Sequence, residues 1–239
     1  MSSDIQAFFT LHRDLPREGP GEAADVAWAA ALVGLKDTAK MADVACGPGG
    51  DIAALLKAVP QGHVTALDKT AHFVQQARAV WSGDERTTIL KADMAAIANT
   101  YDFIWCAGAV YFLGIEPALK SWRKSLRPGG VIAFSEPCWF TDAPSQGARL
   151  PWADYPAMTN ADGIATQIDA AGYEVLGTRK LADQAWENYF TPIDQRIESV
   201  RAGADGPLTQ VLDEAAAEAA SWRRHRGESG YLLTVVRPR

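Results

Sequence analysis

Short apolar segments alternate along the chain with segments in which apolar residues recur at helical spacing. The apolar segments that predict buried strands lie, in chain order, at 41–45, 63–68, 90–94, 101–106, 131–135, 173–181 and 231–236. We expect a helical run after each of the first five, as the spacing in 51–59 and 116–125 indicates. Strands that alternate with helices predict an α/β fold with a mostly parallel, doubly wound sheet.

Residues 41–50 pass from an apolar strand into a glycine turn, with a helical run behind it. Backbone without side chains can approach a ligand closely there, and the helix N-terminus offers unpaired N–H groups. The dinucleotide pattern G-x-G-x-x-G is matched only weakly, as Ala45-x-Gly47-x-x-Gly50. A second pattern, Asp-x-Ala/Gly-x-Gly-x-Gly, is matched by Asp43, Ala45, Gly47 and Gly49. A glycine turn without a ligand is the third interpretation of the motif alone.

Two further acids stand at the ends of the next predicted strands. Asp68 follows Asp43 by 25 residues, and Asp93 follows Asp68 by 25. An acid at the end of the second strand accepts hydrogen bonds from two ribose hydroxyls and repels a 2′-phosphate. One such Asp is usually a helix cap, but three at strand ends with equal spacing favour a nucleotide ligand.

The motif at 43–49, the acids Asp68 and Asp93, and the turn Leu126-Arg127-Pro128-Gly129-Gly130 form a set that resembles the class I S-adenosylmethionine-dependent methyltransferases. The resemblance extends over the whole chain, which looks like a bacterial "type 11" small-molecule methyltransferase. It implies a Rossmann-like, doubly wound, seven-stranded sheet, mostly parallel, with helical lid insertions. It also implies an antiparallel last strand, at 231–236, inserted beside the fifth.

The resemblance implies S-adenosyl-L-methionine as the cofactor. Asp68 would accept from the ribose and Asp93 from the adenine amino group, while the N–H of Met94 would reach a ring nitrogen. Arg17, in the loop 16–21, would pair with a carboxylate of the cofactor's methionine or of the substrate, and a surface arginine is the alternative. The other predicted cofactor-binding residues are Asp43, Ala45, Cys46, Gly47, Gly49, Lys69 and Cys106.

Transfer of a methyl group is an in-line displacement, so orientation supplies much of the rate. A base is needed only where the nucleophile starts protonated. Glu136, at the end of the fifth predicted strand, is the candidate base, and a carboxylate satisfied by nearby backbone N–H groups is the alternative. Tyr111 is the second candidate catalytic residue, as a polar group that orients the acceptor over the methyl group.

The chain has 239 residues, of which 48% are hydrophobic, and we predict one domain over 1–239. Three segments lie outside the minimal fold and are predicted lid segments, at 4–21, 139–161 and 183–226. Their many aromatic residues either line an apolar pocket for a small-molecule substrate or pack the extra helices into a second core. For most of these residues the second core is the safer interpretation.

Charge and composition indicate which kinds of partner the protein is not expected to bind. The net charge of −6 argues weakly against nucleic acid. No run approaches the ~20 apolar residues of a membrane helix. The N-terminal residues also lack a signal-peptide pattern, so we expect no membrane partner and a cytoplasmic location. Cys46, Cys106 and Cys138 fall at or after predicted strand ends, but without C-x-x-C spacing or a neighbouring His we predict no metal.

Two other functions stay open on the sequence. A NAD-dependent oxidoreductase fits the ribose acid but lacks the third glycine and a Tyr-x-x-x-Lys motif. A non-catalytic module that binds the cofactor would keep the same fold and act as a partner protein.

Overall fold

The computed structural model describes residues 3–239. The strands are β1 (Lys40–Val44), β2 (His63–Asp68), β3 (Thr87–Lys91), β4 (Tyr101–Cys106), β5 (Leu126–Trp139), β6 (Thr159–Asn160), β7 (Tyr173–Lys180) and β8 (Ser229–Pro238). The α-helices are α1 (Ser3–Leu11), α2 (Ala23–Leu32), α3 (Ile52–Ala58), α4 (Ala71–Trp81), α5 (Ile115–Trp122), α6 (Gln146–Arg149), α7 (Ala161–Ala170), α8 (Asp183–Arg201) and α9 (Gly206–His225).

Seven strands form the main sheet in the order β3-β2-β1-β4-β5-β8-β7, and the two-residue β6 pairs with the end of β5. Pairing is parallel from β3 across to β5. β8 is antiparallel to both of its neighbours, β5 and β7. The predicted doubly wound sheet and its inserted antiparallel strand are therefore confirmed.

Helices cover both faces of the sheet, and each face has its own hydrophobic core. Val26 of α2, Leu55 of α3 and Val74 of α4 are buried in the cluster on one face. Leu119 of α5 and Ile168 of α7 are buried in the cluster on the other. Since both faces are covered, the central strands carry near-continuous apolar runs, which is typical of parallel sheets.

Side-chain caps begin two of the longer helices of the second half, α7 and α9. The carboxylate of Asp205 accepts from the N–H of Leu208 at 3.0 Å, at the start of α9. The amide oxygen of Asn160 accepts from the N–H of Gly163 at 3.0 Å, at the start of α7. Each satisfies one backbone donor that the first turn leaves unpaired, which is why these helices begin where they do.

Four local predictions are wrong. The third strand is Thr87–Lys91 and not 90–94, so Asp93 lies two residues beyond its end. Residues 126–130, expected as a turn, belong to β5. Residues 92–100, between β3 and β4, form turns rather than the expected helix.

The fifth strand does not end at Ser135, because antiparallel pairing with β8 continues to Trp139 and keeps the chain extended. Glu136 consequently lies inside β5, opposite Leu232, and not at the open end of the strand.

Candidate active site

A cavity of about 430 Å³ lies at the carboxyl ends of β1, β2 and β4. In an open α/β sheet this edge is where ligands bind. The loop 17–20, Tyr189 of α8 and Glu218 of α9 form part of its wall, together with Phe8 and His12 at the end of α1. α1 packs along α9 and also contacts α8, so these three helices cover the ends of the strands.

The glycine turn after β1 forms the floor of the cavity. Ala45 and Gly47 both line it, with φ values of +57° and +54°. Gly50 lines it as well, and a Cβ there would come within 2.9 Å of the carbonyl oxygen of Pro16. Gly49 is not among the lining residues, and its Cβ would instead meet Ile52 at 2.8 Å. Gly47 and Gly50 thus shape the ligand side of the turn, whereas Gly49 permits packing behind it.

Asp68 closes the turn as well as facing the cavity. Its carboxylate accepts from the N–H of Gly47 at 3.0 Å and from the N–H of Thr70 at 2.7 Å. Each oxygen still has lone pairs for a further donor. The predicted ribose acid therefore has a structural role that its place in the sequence did not indicate.

Asp43 lies beneath the turn, 3% exposed. Burial raises the pKa of Asp43 well above its ordinary value, Asp51 raises it further and Arg17 opposes the change. Its Oδ2 has no hydrogen-bond partner among residues 3–239. A buried carboxylate in this state is stabilised by any cationic or hydrogen-donating group that enters the cavity.

Some of the remaining predicted cofactor-binding residues line the cavity and others do not. Cys46, Lys69 and Met94 line the cavity. Cys106 is fully buried and does not line it, and burial raises the pKa of its thiol well above the ordinary value. Asp93 is exposed, lies outside the lining, and accepts from the N–H of Ala95 at 2.8 Å as the cap of a turn. Its predicted contact with adenine stays a prediction.

Arg17 lines the cavity, but its guanidinium group already donates hydrogen bonds to other groups of the protein. Nε donates to the carbonyl of Gly19 at 2.6 Å and one terminal nitrogen to that of Gly21 at 2.5 Å. The other terminal nitrogen donates to Asp51 at 2.8 Å, and the second oxygen of Asp51 accepts from Trp105 at 2.9 Å. Arg17 therefore holds the loop 17–20 over the glycine turn.

The two predicted catalytic residues lie at different depths. Tyr111 lines the cavity, and burial followed by Glu218 raises the pKa of its hydroxyl to about 12. Glu136 is 2% exposed and lies outside the lining. It accepts from the hydroxyl of Tyr155 at 2.5 Å, and burial raises its pKa to about 7. The ring of Tyr155 lies 5.6 Å from that of Tyr111, which links the buried acid to the cavity.

Three site residues were missed from the sequence. Asp51 holds Arg17, Glu18 accepts from Nδ1 of His12 at 2.6 Å, and Glu218 lines the cavity from α9. Glu18 stands in the loop already noted for Arg17, and Asp51 directly follows the glycine motif, so both positions carried a signal. Glu218 carried none, because it belongs to an Ala/Glu run that predicts only a helix.

Most aromatic residues of the predicted lid segments pack together instead of lining the cavity. Trp186 of α8 stacks on Trp222 of α9, with ring centroids 5.1 Å apart, and contacts Trp152 and Tyr231. Residues 139–161 contribute nothing to the lining, while Phe8 and Tyr189 do line it. These rings belong to the same hydrophobic cluster as the core under α2, α3 and α4, so the extra helices extend that core and do not form the expected second one.

Residues 41–130, from β1 into β5, match the family described as methyltransferase domain. This segment therefore carries an S-adenosylmethionine-dependent methyltransferase domain of class I. A crystal structure of a methyltransferase of the same class from Geobacter sulfurreducens, in complex with S-adenosyl-L-homocysteine, superposes with a TM-score of 0.81. It is 18% identical, and the match covers 98% of each chain, so it shows that the fold extends over this whole methyltransferase.

Two relatives of this methyltransferase are trans-aconitate 2-methyltransferases. The one from Streptomyces avermitilis is 29% identical over 200 residues, which cover 77% of this chain and 74% of the relative. The one from Azoarcus sp. is 29% identical over 214 residues, which cover 86% and 75%. Of the two cofactors that the sequence left open, the family match supports S-adenosylmethionine over NAD.

The cavity of this methyltransferase fits that cofactor. Asp43 presents a buried carboxylate oxygen without a partner among the described residues, which suits an ammonium or sulfonium group. The turn at 45–50 keeps side chains away from its ligand face, and Asp68 presents acceptors at the end of β2. Within residues 3–239, no group of three or more His, Cys, Asp or Glu is placed to hold a metal ion.

None of the helices described between residues 3 and 239 combines the length and the apolar character needed to cross a bilayer.

Proposed function

We propose that this methyltransferase acts on a small-molecule acceptor held in the cavity between the sheet and the helices α1, α8 and α9. The observation that carries the proposal is that one cavity joins Asp43 and Asp68 to Tyr111, Tyr189 and Glu218. A volume of about 430 Å³ must hold part of the cofactor as well as the acceptor. A covered site of this size admits a metabolite more readily than a loop of a macromolecule.

The residues of the chain bind and orient the reactants. When bound, S-adenosylmethionine supplies an electrophilic methyl group: the acceptor's lone pair forms the bond to carbon, and the carbon–sulfur bond breaks with its electron pair retained on sulfur. Asp68 accepts hydrogen bonds and Asp43 stabilises positive charge. The raised pKa of Tyr111, about 12, keeps its hydroxyl protonated, so it acts as a donor that orients the acceptor.

We assign Glu136 a positioning role instead of the role of a general base. It lies outside the cavity lining, and its hydrogen bond to Tyr155 places the ring of Tyr155 beside Tyr111. This assignment replaces the expectation that Glu136 stands at an open strand end.

Two measurements test the function. Calorimetric titration is expected to show binding of S-adenosylhomocysteine and none of NAD. Protein supplied with methyl-labelled S-adenosylmethionine is expected to transfer label to a low-molecular-weight metabolite fraction and not to the protein or nucleic-acid fraction. Trans-aconitate, the substrate in the names of both relatives, is the first single acceptor to assay. Binding of NAD alone, or label found only in macromolecules, would overturn the proposal.

A further inference from the structure

The cavity lining has an excess of carboxylates. Five carboxylate side chains line it, against one arginine and one lysine, and they belong to Glu18, Asp43, Asp51, Asp68 and Glu218. Glu18 pairs with His12 and Asp51 with Arg17, which leaves Asp43, Asp68 and Glu218 without an ion pair within residues 3–239. A cation stabilises the ionised forms of these carboxyl groups, and an anion does not. The electrostatics of the cavity therefore favour a cationic ligand.

Neither of the two cations is placed to bind an acceptor carboxylate. Arg17 has Nε and both terminal nitrogens engaged, with Asp51 and with two backbone carbonyls. Lys69 directly follows Asp68 and is exposed, with Nζ 5.7 Å from the ring centroid of Phe112, which is itself exposed. Its charge is therefore at the solvent rim beside the cofactor acid. A polycarboxylate would lack the bidentate partners that usually recognise such groups.

Glu218 is the unpaired carboxylate of the lining that lies on the helical cover and not at the nucleotide motifs. It lies in the cavity wall formed by α9 and makes no hydrogen bond or ion pair within residues 3–239. Its side chain is accessible to solvent, but the surrounding protein raises its pKa above the ordinary value, an effect that His12 opposes. A second acid points the same way: Oε1 of Glu18 is buried without a partner, while Oε2 binds His12.

Aromatic rings line the same cavity as these acids. Phe8, Phe73, Tyr111, Phe112 and Tyr189 also line the cavity. The faces of aromatic rings attract cations through the ring quadrupole, and more strongly where water is excluded. Unpaired carboxylates beside several aromatic rings are a suitable environment for a protonated amine.

We propose that the acceptor is a small molecule carrying a protonated amine, and that Glu218 pairs with its ammonium group. The inference rests on the proposed function and adds the chemical class of the substrate. It separates this chain from relatives whose named substrate is a tricarboxylate, because the unpaired acids of the lining give that anion no stabilising partner.

Three probes of similar size and different charge test the charge preference: 2-phenylethylamine, 2-phenylethanol and phenylacetate. Each is titrated by calorimetry into the protein saturated with S-adenosylhomocysteine. The amine is expected to bind about tenfold or more tightly than the alcohol, and phenylacetate is expected to bind most weakly. Trans-aconitate joins the series as the substrate named for the relatives. Equal or tighter binding of either carboxylate, or no binding of the amine, would overturn the proposal.

The variant Glu218→Gln assigns the preference to one residue. It is expected to weaken amine binding about tenfold and to leave the affinity for the alcohol unchanged. Glu214→Gln is the matched control, since Glu214 lies one turn earlier on α9 and accepts from Gln210 at 2.9 Å outside the cavity. A Glu218 variant that binds all three probes as the parent does would contradict the assignment, and so would an equal loss for all three.

The outcomes distinguish this inference from the proposed function. Failure to bind S-adenosylhomocysteine would remove the function itself. Normal binding of S-adenosylhomocysteine, with transfer to a metabolite that carries no amine, would leave the function standing and reject the amine class.

Discussion

Acidic side chains at the site hold the protein together as well as facing ligand. Asp68 illustrates this, because its two oxygens accept from backbone N–H groups of the turns on either side. Asp68→Ala is expected to weaken binding of S-adenosylhomocysteine by about 1.5–3 kcal/mol, the scale of hydrogen bonds to a charged group. It is also expected to lower the free energy of unfolding, since two backbone donors lose their acceptor. Calorimetry and urea unfolding measure the two effects.

Asp102→Ala is the matched control for this prediction. Asp102 accepts from the N–H of Lys40 at 2.7 Å, at the start of β1 and far from the cavity. Its loss is expected to lower stability without changing affinity. If both variants bind S-adenosylhomocysteine as the parent protein does, Asp68 has no part in binding the cofactor.

Glu136 makes stability depend on pH. Its pKa is raised by burial from 4.5 to about 7, so between these values the folded protein holds a proton that the unfolded chain has released. The free energy of unfolding therefore falls as pH rises through this window, by up to about 3 kcal/mol. Glu136→Gln is expected to be more stable than the parent at pH 8, with little difference at pH 5, as measured by urea unfolding.

Glu116→Gln, in an exposed pair with Lys120, controls for the loss of one carboxylate. A constant difference between Glu136→Gln and the parent from pH 5 to pH 8 would show that Glu136 is ionised throughout. The burial that separates it from the cavity would then lack its expected electrostatic effect.

The sequence predicted those site residues that belong to a short motif at a strand end. It missed a residue that only the packing of distant helices brings to the cavity. Asp43, Ala45, Cys46, Gly47 and Asp68 all lie at the cavity because a strand that ends in a turn delivers its last residues to one edge of the sheet. Glu218 reaches the same cavity from a helix some 170 residues later in the chain. Only the docking of α9 against α1 brings it there, and no local pattern encodes that docking.

The side chain of Arg17 holds the loop 17–20 over the glycine turn through its ion pair with Asp51. The pair formed by Arg17 and Asp51 is largely buried, with side chains 12% and 9% exposed. In a double-mutant cycle, Arg17→Met and Asp51→Asn are each expected to destabilise the protein. Their coupling energy should be about 2 kcal/mol or more, because either single change leaves a buried group unpaired. Urea unfolding of the four proteins gives this value.

The exposed pair of Arg201 and Asp213 supplies a control cycle, with side chains 44% and 62% exposed. Its coupling energy is expected to be about 0.5 kcal/mol. Additive effects of Arg17→Met and Asp51→Asn would show that the loop is held by its backbone contacts and not by this pair.

Elements were predicted well where a single periodicity governs them and poorly where pairing extends them. Both α8 (Asp183–Arg201) and α9 (Gly206–His225) lie within the predicted helical lid segment 183–226 and together span nearly all of it. β5 runs four residues beyond its predicted end, because the added length comes from β8 across the sheet. The segment after β3 lacked its expected helix, and β3 ends at Lys91 and not at Asp93. A short apolar run specifies neither its own exact end nor the conformation of the next segment.

At the scale of the molecule, the order of the strands was predicted only from the family resemblance. The cover of the site is produced by packing between helices, which no local sequence pattern specifies. Alternating strands and helices indicate a parallel sheet, but periodicity does not order its strands or reverse the last one. The aromatic residues of 183–226 were expected mainly in a second core, but the stacking of Trp186 on Trp222 extends the core on one face of the sheet instead. The same packing holds α8 and α9 against α1, which encloses the acceptor end of the cavity.

The position of β8 has a consequence for biosynthesis. The ribosome makes this strand after every other strand of the sheet, yet it lies between β5 and β7. Until it emerges, the nascent chain has two open hydrogen-bonding edges at the place where the sheet will close, and one of them belongs to the longest strand. Such edges are templates for pairing with other chains. The helices α8 and α9 are synthesised in that interval, so these strand edges stay unpaired while more than forty further residues are translated.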